Sequence, residues 1–373
     1  MRYQHRSRIE VAIYAIVFAT THTGLAWCTN ARSISIQGHH MKSLKRSLLS
    51  IGVLFPLAIA LASPASAQSS EKARQLFDAG KYAEAKTAFV ALQKADPRNP
   101  SAPYYLGRIA TFDNDGDEAI RQFEIAVKLA DGNALYHFWL GSALRDEAPR
   151  AGMMRQPLLL KQMKEELDRA VELDPNQLEA RLELLQFEAM APTVMGGGVE
   201  KAREQAAEIT KRNAMKGAMA RAFIASTEKN ALAEEAAYRE AIAAAPDSSA
   251  AYFALGFAYA RDGKATEGFA TLDQYAKRHA KDHWALYHAG RFAGTTGQQL
   301  DRGDAGLRQF LASPPSDAHV TNLANAHYWM GRIAEKRGLK EAARQQYDAA
   351  LKMNPNYAAA QKALDALKSD NQT

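Results

Sequence analysis

The chain has 373 residues, 47% of them hydrophobic and 24% charged, with a formal net charge of +6 and a pI near 9.2. The excess charge sits at one end: residues 1–67 hold seven of the 47 Lys and Arg (Arg2, Arg6, Arg8, Arg32, Lys42, Lys45, Arg46) but one of the 41 acids, Glu10, so forty of each sign remain from residue 68 onward. With no basic stripe to neutralise phosphates, nucleic-acid binding loses its main support, and with Cys28 as the single cysteine, disulfides, thiol chemistry and thiolate zinc sites are excluded beyond residue 28.

Taken in chain order, residues 1–40 fit no structural plan and read as a start-site artefact upstream of Met41. The rival reading, a membrane segment over 11–27, is interrupted by Thr20, Thr21, His22 and Thr23, and a span needs about 20 predominantly apolar residues. Residues 41–67 read as a secretory signal peptide. Lys42, Lys45 and Arg46 precede an apolar run over 48–62, and Ala65 and Ala67 flank Ser66 as a small-residue cleavage site, the three parts of an export signal. Cleavage after Ala67 makes Gln68 the first mature residue, with no cysteine there to take a lipid. The expected localisation is periplasmic or secreted, which a cysteine-free mature chain suits.

From residue 68 the signal is internal repetition. Two segments fix the pattern, SAAYFALGFAYARDGKATEGFATLDQYAKRHA (249–280) and NAHYWMGRIAEKRGLKEAARQQYDAALKMNP (325–355). In the second, Met330 and Gly331 sit where one helix crosses the next, Gly338 makes the turn, Ala343 and Ala350 allow close approach, Tyr347 fills the space between units, and Pro355 ends the unit. Leu255, Gly256, Tyr259, Gly263, Gly268 and Leu272 take corresponding offsets in the first. This pattern resembles the tetratricopeptide repeat, a helix–turn–helix unit of about 34 residues, in its exported bacterial form.

The resemblance implies an all-α fold, a right-handed superhelical solenoid of about eight such units over 68–356. Gly80, Tyr82, Ala85, Phe89 and Pro97 belong to the first unit; Leu106, Gly107, Ala119, Phe123 and Ala126 to the second. Leu140, Gly141, Leu167, Ala170 and Pro175 mark the third, with an insertion at 151–160. Leu184, Leu185, Ala202 and Ala206 mark the fourth, expanded by APTVMGGG at 191–198. Ala222, Tyr238, Ala241 and Pro246 mark the fifth. Ala289, Gly290 and Phe310 mark the seventh, with a Gly-rich widening expected at 294–306. Residues 357–373 are expected to form a capping helix and tail, with polar Gln361, Lys362, Asp365 and Lys368 facing solvent beside Leu364 and Leu367. A solenoid needs such an end.

The resemblance also implies that helix A of each unit faces a concave groove, with the fifth and ninth positions projecting into it. The fifth position is Tyr104, Phe138, Phe253, Tyr287 and Tyr328; the ninth is Arg74, Arg108, Arg291 and Arg332. Rings cover apolar side chains and guanidinium groups grip carboxylates, so the expected ligand is another protein or peptide presenting an acidic or C-terminal segment. The competing reading has some rings padding helix contacts and arginines paired to acids such as Asp78 or Glu335.

Candidate chemistry is sparse. His279, His283 and His288 lie close together, but His279 and His283 flank an expected inter-repeat turn and no HExxH accompanies them, so no metal site is expected. The MGGG run at 195–198 lacks the Lys-Ser or Lys-Thr of a P-loop. Met153 and Met154 with Leu158, Leu159 and Leu160 form either an adaptable docking surface or the start of a longer helix B. With no paired acid and base and no Ser/His/Asp spacing, the expectation is a cofactor-free, non-enzymatic scaffold or adaptor of the cell envelope. The alternatives are a structural subunit of a secretion or envelope-assembly complex and, less supported, a metal-dependent enzyme.

Overall fold

The computed structural model describes residues 64–316 and 318–369. The calls on 1–40, on 41–63, on Cys28 and on the tail at 370–373 lie outside the described residues. Those described form seventeen α-helices and one 3-10 turn, with no strand among them. In chain order they are α1 (Pro64–Asp78), α2 (Tyr82–Ala95), α3 (Ser101–Phe112), α4 (Gly116–Leu129), α5 (Ala134–Glu147), α6 (Gln156–Leu173), α7 (Leu178–Met190) and α8 (Val199–Arg212). There follow α9 (Ala214–Thr227), α10 (Ala231–Ala244), α11 (Ser249–Arg261), α12 (Ala265–Arg278), α13 (His283–Thr296), α14 (Leu300–Ala312), α15 (Val320–Lys336), α16 (Lys340–Met353) and α17 (Ala358–Ser369). Ala67, the residue expected before the cleavage point, lies inside α1.

The first sixteen helices pack as eight consecutive pairs, each an odd-numbered helix A followed by an even-numbered helix B. Short connections make such neighbours antiparallel. The A helices also touch one another, as in α1 with α3, α11 with α13 and α13 with α15, while the B helices pack chiefly on the A helices to either side. The A helices are therefore the inner row of the solenoid. Helix α17 packs on α16, with Leu364 and Leu367 buried and Gln361, Lys362, Asp365 and Lys368 exposed.

Five of the eight pairs are closed by a glycine on helix A, Gly107, Gly141, Gly256, Gly290 or Gly331, facing a large side chain on helix B. A Cβ added at Gly107 would lie 2.7 Å from the Phe123 ring, at Gly141 2.8 Å from Leu167, and at Gly331 2.4 Å from the Tyr347 ring. The rings that take two of these places, Phe123 and Tyr347, are fully buried. Burying each such side chain contributes about 1.5–3 kcal/mol.

The A-to-B turns share one backbone device. Gly80, Asn114, Lys229, Gly263 and Gly338 all have positive φ, and in each case the next residue donates its N–H back to a carbonyl five residues earlier, as in Lys81 to Leu76 at 2.9 Å and Leu339 to Ala334 at 2.9 Å. This satisfies carbonyls that the end of helix A leaves open. Several following helices start on side-chain caps: Asp115, Asn133, Asn213, Asn230 and Asp282 each accept a backbone N–H.

Repeats three and four replace that turn with longer connections. In the third, Met153 and Met154 are each 90% exposed, while Leu158, Leu159 and Leu160 lie in the first turns of α6, where Leu159 is buried and Leu158 exposed. In the fourth, the glycine run follows a 3-10 turn at Thr193–Met195. Its amides are already engaged: Gly196 donates to Thr193, Gly197 to Pro192 and Gly198 to Glu188. None is left to cradle an anion.

The widening expected at 294–306 in the seventh repeat is corrected. Gly294 lies in α13 and Gly303 and Gly306 in α14, and the turn between these helices spans only 297–299. These glycines mark tight helix crossings, since a Cβ at Gly303 would sit 2.4 Å from Ala293 and one at Gly306 3.1 Å from the Leu286 carbonyl. The extra residues of this repeat lie instead at 313–319, between α14 and α15.

Under the fourth-repeat connection, Glu188 is 3% exposed and its Oε2 has no hydrogen-bond partner. Burial pushes its carboxyl up to about 7, against the pull of Lys164 at 3.9 Å. The folded state thus favours the protonated acid, and stability falls as pH rises from the ordinary carboxylate value through about 7. Glu188→Gln is expected to leave the melting temperature unchanged at pH 4 and to raise it increasingly towards pH 8, measured by circular dichroism. Phe123→Ala, at a fully buried ring, is expected to cost about 3–5 kcal/mol in urea unfolding. Leu232→Ala, at an exposed position, is expected to stay within about 0.5 kcal/mol.

Candidate functional site

The arginines that the repeat register places at the ninth position divide into two kinds, those matched by acids and those held on rings. Arg74, on α1, pairs with Glu71 at 2.7 Å and Asp78 at 3.5 Å. Arg332, on α15, pairs with Glu335 at 3.2 Å. Both lie one helical turn from their acids, so the sequence-local pairing is met and these two sites are neutralised.

Arg108 and Arg291 differ. The Arg108 guanidinium carbon lies 4.1 Å from the Trp139 ring centre and 5.1 Å from that of Phe77, and its Nη1 donates to the Tyr104 hydroxyl at 2.9 Å. Its Nε is buried with no hydrogen-bond partner. Arg291 lies 4.4 Å from the Phe257 ring centre and 5.9 Å from that of Trp329, and burial pulls its pKa down from the ordinary value. Neither faces a carboxylate among the described residues. Ring faces attract cations, by about 0.5–2 kcal/mol depending on desolvation, which is how a positive charge is held here without an acid.

The expected aromatic row is largely wall rather than open surface. Tyr104, Phe253 and Tyr287 are buried, because the A helices touch directly and the fifth-position rings fill the space between them. Tyr104 packs on Tyr136 at 5.1 Å, Phe253 stacks on His288 at 3.8 Å, and Tyr287 packs on Phe310 at 5.2 Å. Phe138 and Tyr328 are half-buried; Phe138 meets Trp139 edge-on at 5.6 Å, and Tyr328 lies 5.3 Å from Tyr357. Burial raises the pKa of Tyr287, Tyr328 and Tyr357, so all three hydroxyls keep their protons at neutral pH.

Several contributors escaped the sequence reading: Trp139, Trp329, Phe77 and Phe257. The two tryptophans carried a usable signal, since FWLG (138–141) and YWMG (328–331) place Trp at the same offset before the crossing glycine. His288 is stacked beside Arg291; burial, and secondarily that arginine, push its imidazole well below its ordinary value, leaving it neutral with Nδ1 buried and unpartnered. His279 caps α12 near Asp247 and His283 bonds the Ser313 carbonyl, so the three histidines do not converge. Among the described residues no group of three or more His, Cys, Asp and Glu is placed to hold a metal.

Between the two ring-held arginines the remaining inner-row cations are closed. Arg145 meets Glu183 at 2.5 Å, whose carboxyl burial pushes up and Arg145 pulls down; Ser142 donates to the same carboxylate at 2.7 Å. Arg181 donates to the Pro175 carbonyl and to Gln205, both at 2.9 Å. Arg261 meets buried Glu234 at 2.7 Å.

Helix pairs stacked through an inner row of A helices define an α-helical repeat solenoid. Residues 70–111 and 324–357 match family models of the tetratricopeptide repeat, so the chain carries repeats of that type. No curated protein matches the sequence. Among solved structures, a tetratricopeptide repeat protein from Parabacteroides merdae ATCC 43184 is 15% identical, with a TM-score of 0.51 over 82% of this chain and 99% of that one, and shares the fold. Yeast Tom70 is 9% identical over 83% of this chain and 89% of that one, with a TM-score of 0.47. The first tetratricopeptide-repeat unit of Spaghetti, bound to an HSP90 peptide, is 26% identical over 34% of this chain and 93% of its own, with a TM-score of 0.29.

Proposed function

We propose that the chain is a non-enzymatic protein- or peptide-binding scaffold of the cell envelope, exported through its leader and gripping an acidic or C-terminal segment of its partner on the inner row of A helices. The observation that carries this reading is Arg291: a guanidinium held on Phe257, beside neutral His288, with no carboxylate of its own. A site that orders a cation on rings without an acid beside it is suited to an anion, and a planar carboxylate fits a guanidinium in a bidentate manner.

Export rests on the basic, apolar and small-residue parts of 41–67. Amino-terminal sequencing of the native product is expected to begin near Gln68 in the periplasmic fraction; a membrane-retained product keeping residues 1–67 overturns the localisation. For the groove, Arg291→Gln is expected to cut recovery of co-purifying envelope proteins at least tenfold, since a hydrogen bond to a charged group is worth about 1.5–3 kcal/mol. Arg332→Gln is expected to stay within about threefold of the parent, its charge being already met by Glu335. Equal recovery from both variants and the parent sinks the groove reading.

A further inference from the structure

We infer that the inner face carries two separate and equivalent carboxylate seats, one around Arg108 and one around Arg291, so that a single chain holds two acid-bearing peptide segments at once. This rests on the reading of the inner row as a peptide-binding face.

The equivalence lies in register. Arg108 directly follows the crossing glycine Gly107, and Arg291 directly follows Gly290. Trp139 stands two residues before Gly141 in the next helix A, and Trp329 two residues before Gly331. In each seat the guanidinium lies against that following-repeat tryptophan, at 4.1 Å and 5.9 Å, and against a ring from the preceding repeat, Phe77 at 5.1 Å or Phe257 at 4.4 Å. Rings lie against each cation and no acid neutralises it, and a weakly hydrated, pre-oriented guanidinium is suited to a planar carboxylate.

Each seat has a second mark of an absent partner: the buried Nε of Arg108 and the buried Nδ1 of His288 have no hydrogen-bond partner. Each also has apolar ring surface alongside for a neighbouring side chain. Near Arg108, Tyr82 and Phe112 stack at 4.7 Å and are 38% and 40% exposed. Near Arg291, half-buried Tyr328 and Trp329 meet at 5.1 Å.

The seats are not the ends of one cationic track. On the inner row between them, Arg145, Arg181 and Arg261 are matched by Glu183, by Pro175 and Gln205, and by Glu234 respectively, and Arg221 meets Glu240 at 2.6 Å. A continuous acidic ligand would meet Arg145, Arg221 and Arg261 already paired with acids and Arg181 with its donors engaged by the Pro175 carbonyl and Gln205, whereas two short segments find a ring-held cation each.

Each seat has its own reporter, because Trp139 and Trp329 have distinct indole N–H resonances, assignable with Trp139→Phe and Trp329→Phe. The probe is acetyl-alanyl-phenylalanine with a free C-terminal carboxylate, titrated into the isotope-labelled protein, with the C-terminal amide as control. Both indole signals are expected to shift and saturate with the acid and not with the amide. Arg108→Gln is expected to weaken the Trp139 response at least tenfold and spare that of Trp329, with Arg291→Gln doing the reverse; unchanged melting temperatures establish that both variants fold. A response at one tryptophan only, or loss of both responses in either single variant, overturns the two-seat inference while leaving a peptide-binding face. No carboxylate-dependent response at either tryptophan overturns both.

Discussion

The architecture depends on how closely helix A can approach helix B. At Gly107, Gly141, Gly290 and Gly331 no side chain fits, because the space is taken by Phe123, Leu167, Leu307 and Tyr347 from the partner helix. That approach sets the thickness of each pair, and packing at native density tolerates few departures from it. Thin pairs bring successive A helices into contact, and that contact decides what the binding face looks like. Rings that a looser stack would leave in the groove, such as Tyr104 and Tyr287, become the mortar between repeats. What stays without an acid of its own is a guanidinium resting on that mortar, at Arg108 and at Arg291.

Much of this was legible in the sequence because the repeat is written in residues with one physical job each. Gly338 and Gly263 were read as turns and have the left-handed backbone such turns require. Gly331 was read as a helix crossing and Tyr347 as a filler, and the two meet. The all-helical solenoid follows from that grammar. Asn114 and Lys229 make the same turn without glycine, so the second and fifth repeats lack the residue that marks the turn in the sixth and eighth.

The site was harder to read, for reasons that lie in three dimensions. A linear pattern gives Arg74, Arg108, Arg291 and Arg332 the same standing. Whether an acid one turn away reaches the guanidinium separates them, and Glu71 and Glu335 reach while Arg108 and Arg291 have none in range. The rings under those two arginines come from neighbouring repeats, so no single unit displays them. Glycine misled in the seventh repeat for a related reason: the same residue serves open loops and the tightest helix crossings, and Gly303 against Ala293 is the latter.

The even charge balance from residue 68 onward, with most surface cations tied into ion pairs, bears on how a ligand arrives. At physiological ionic strength a charge is felt over roughly 8 Å, and a surface whose signs cancel projects little beyond that. An acidic segment of the kind proposed above would not be drawn in from a distance, and its association would proceed at the unsteered rates of docking, about 10⁵–10⁷ M⁻¹s⁻¹. Discrimination among partners then falls on how long each stays, fixed by the contacts made after arrival.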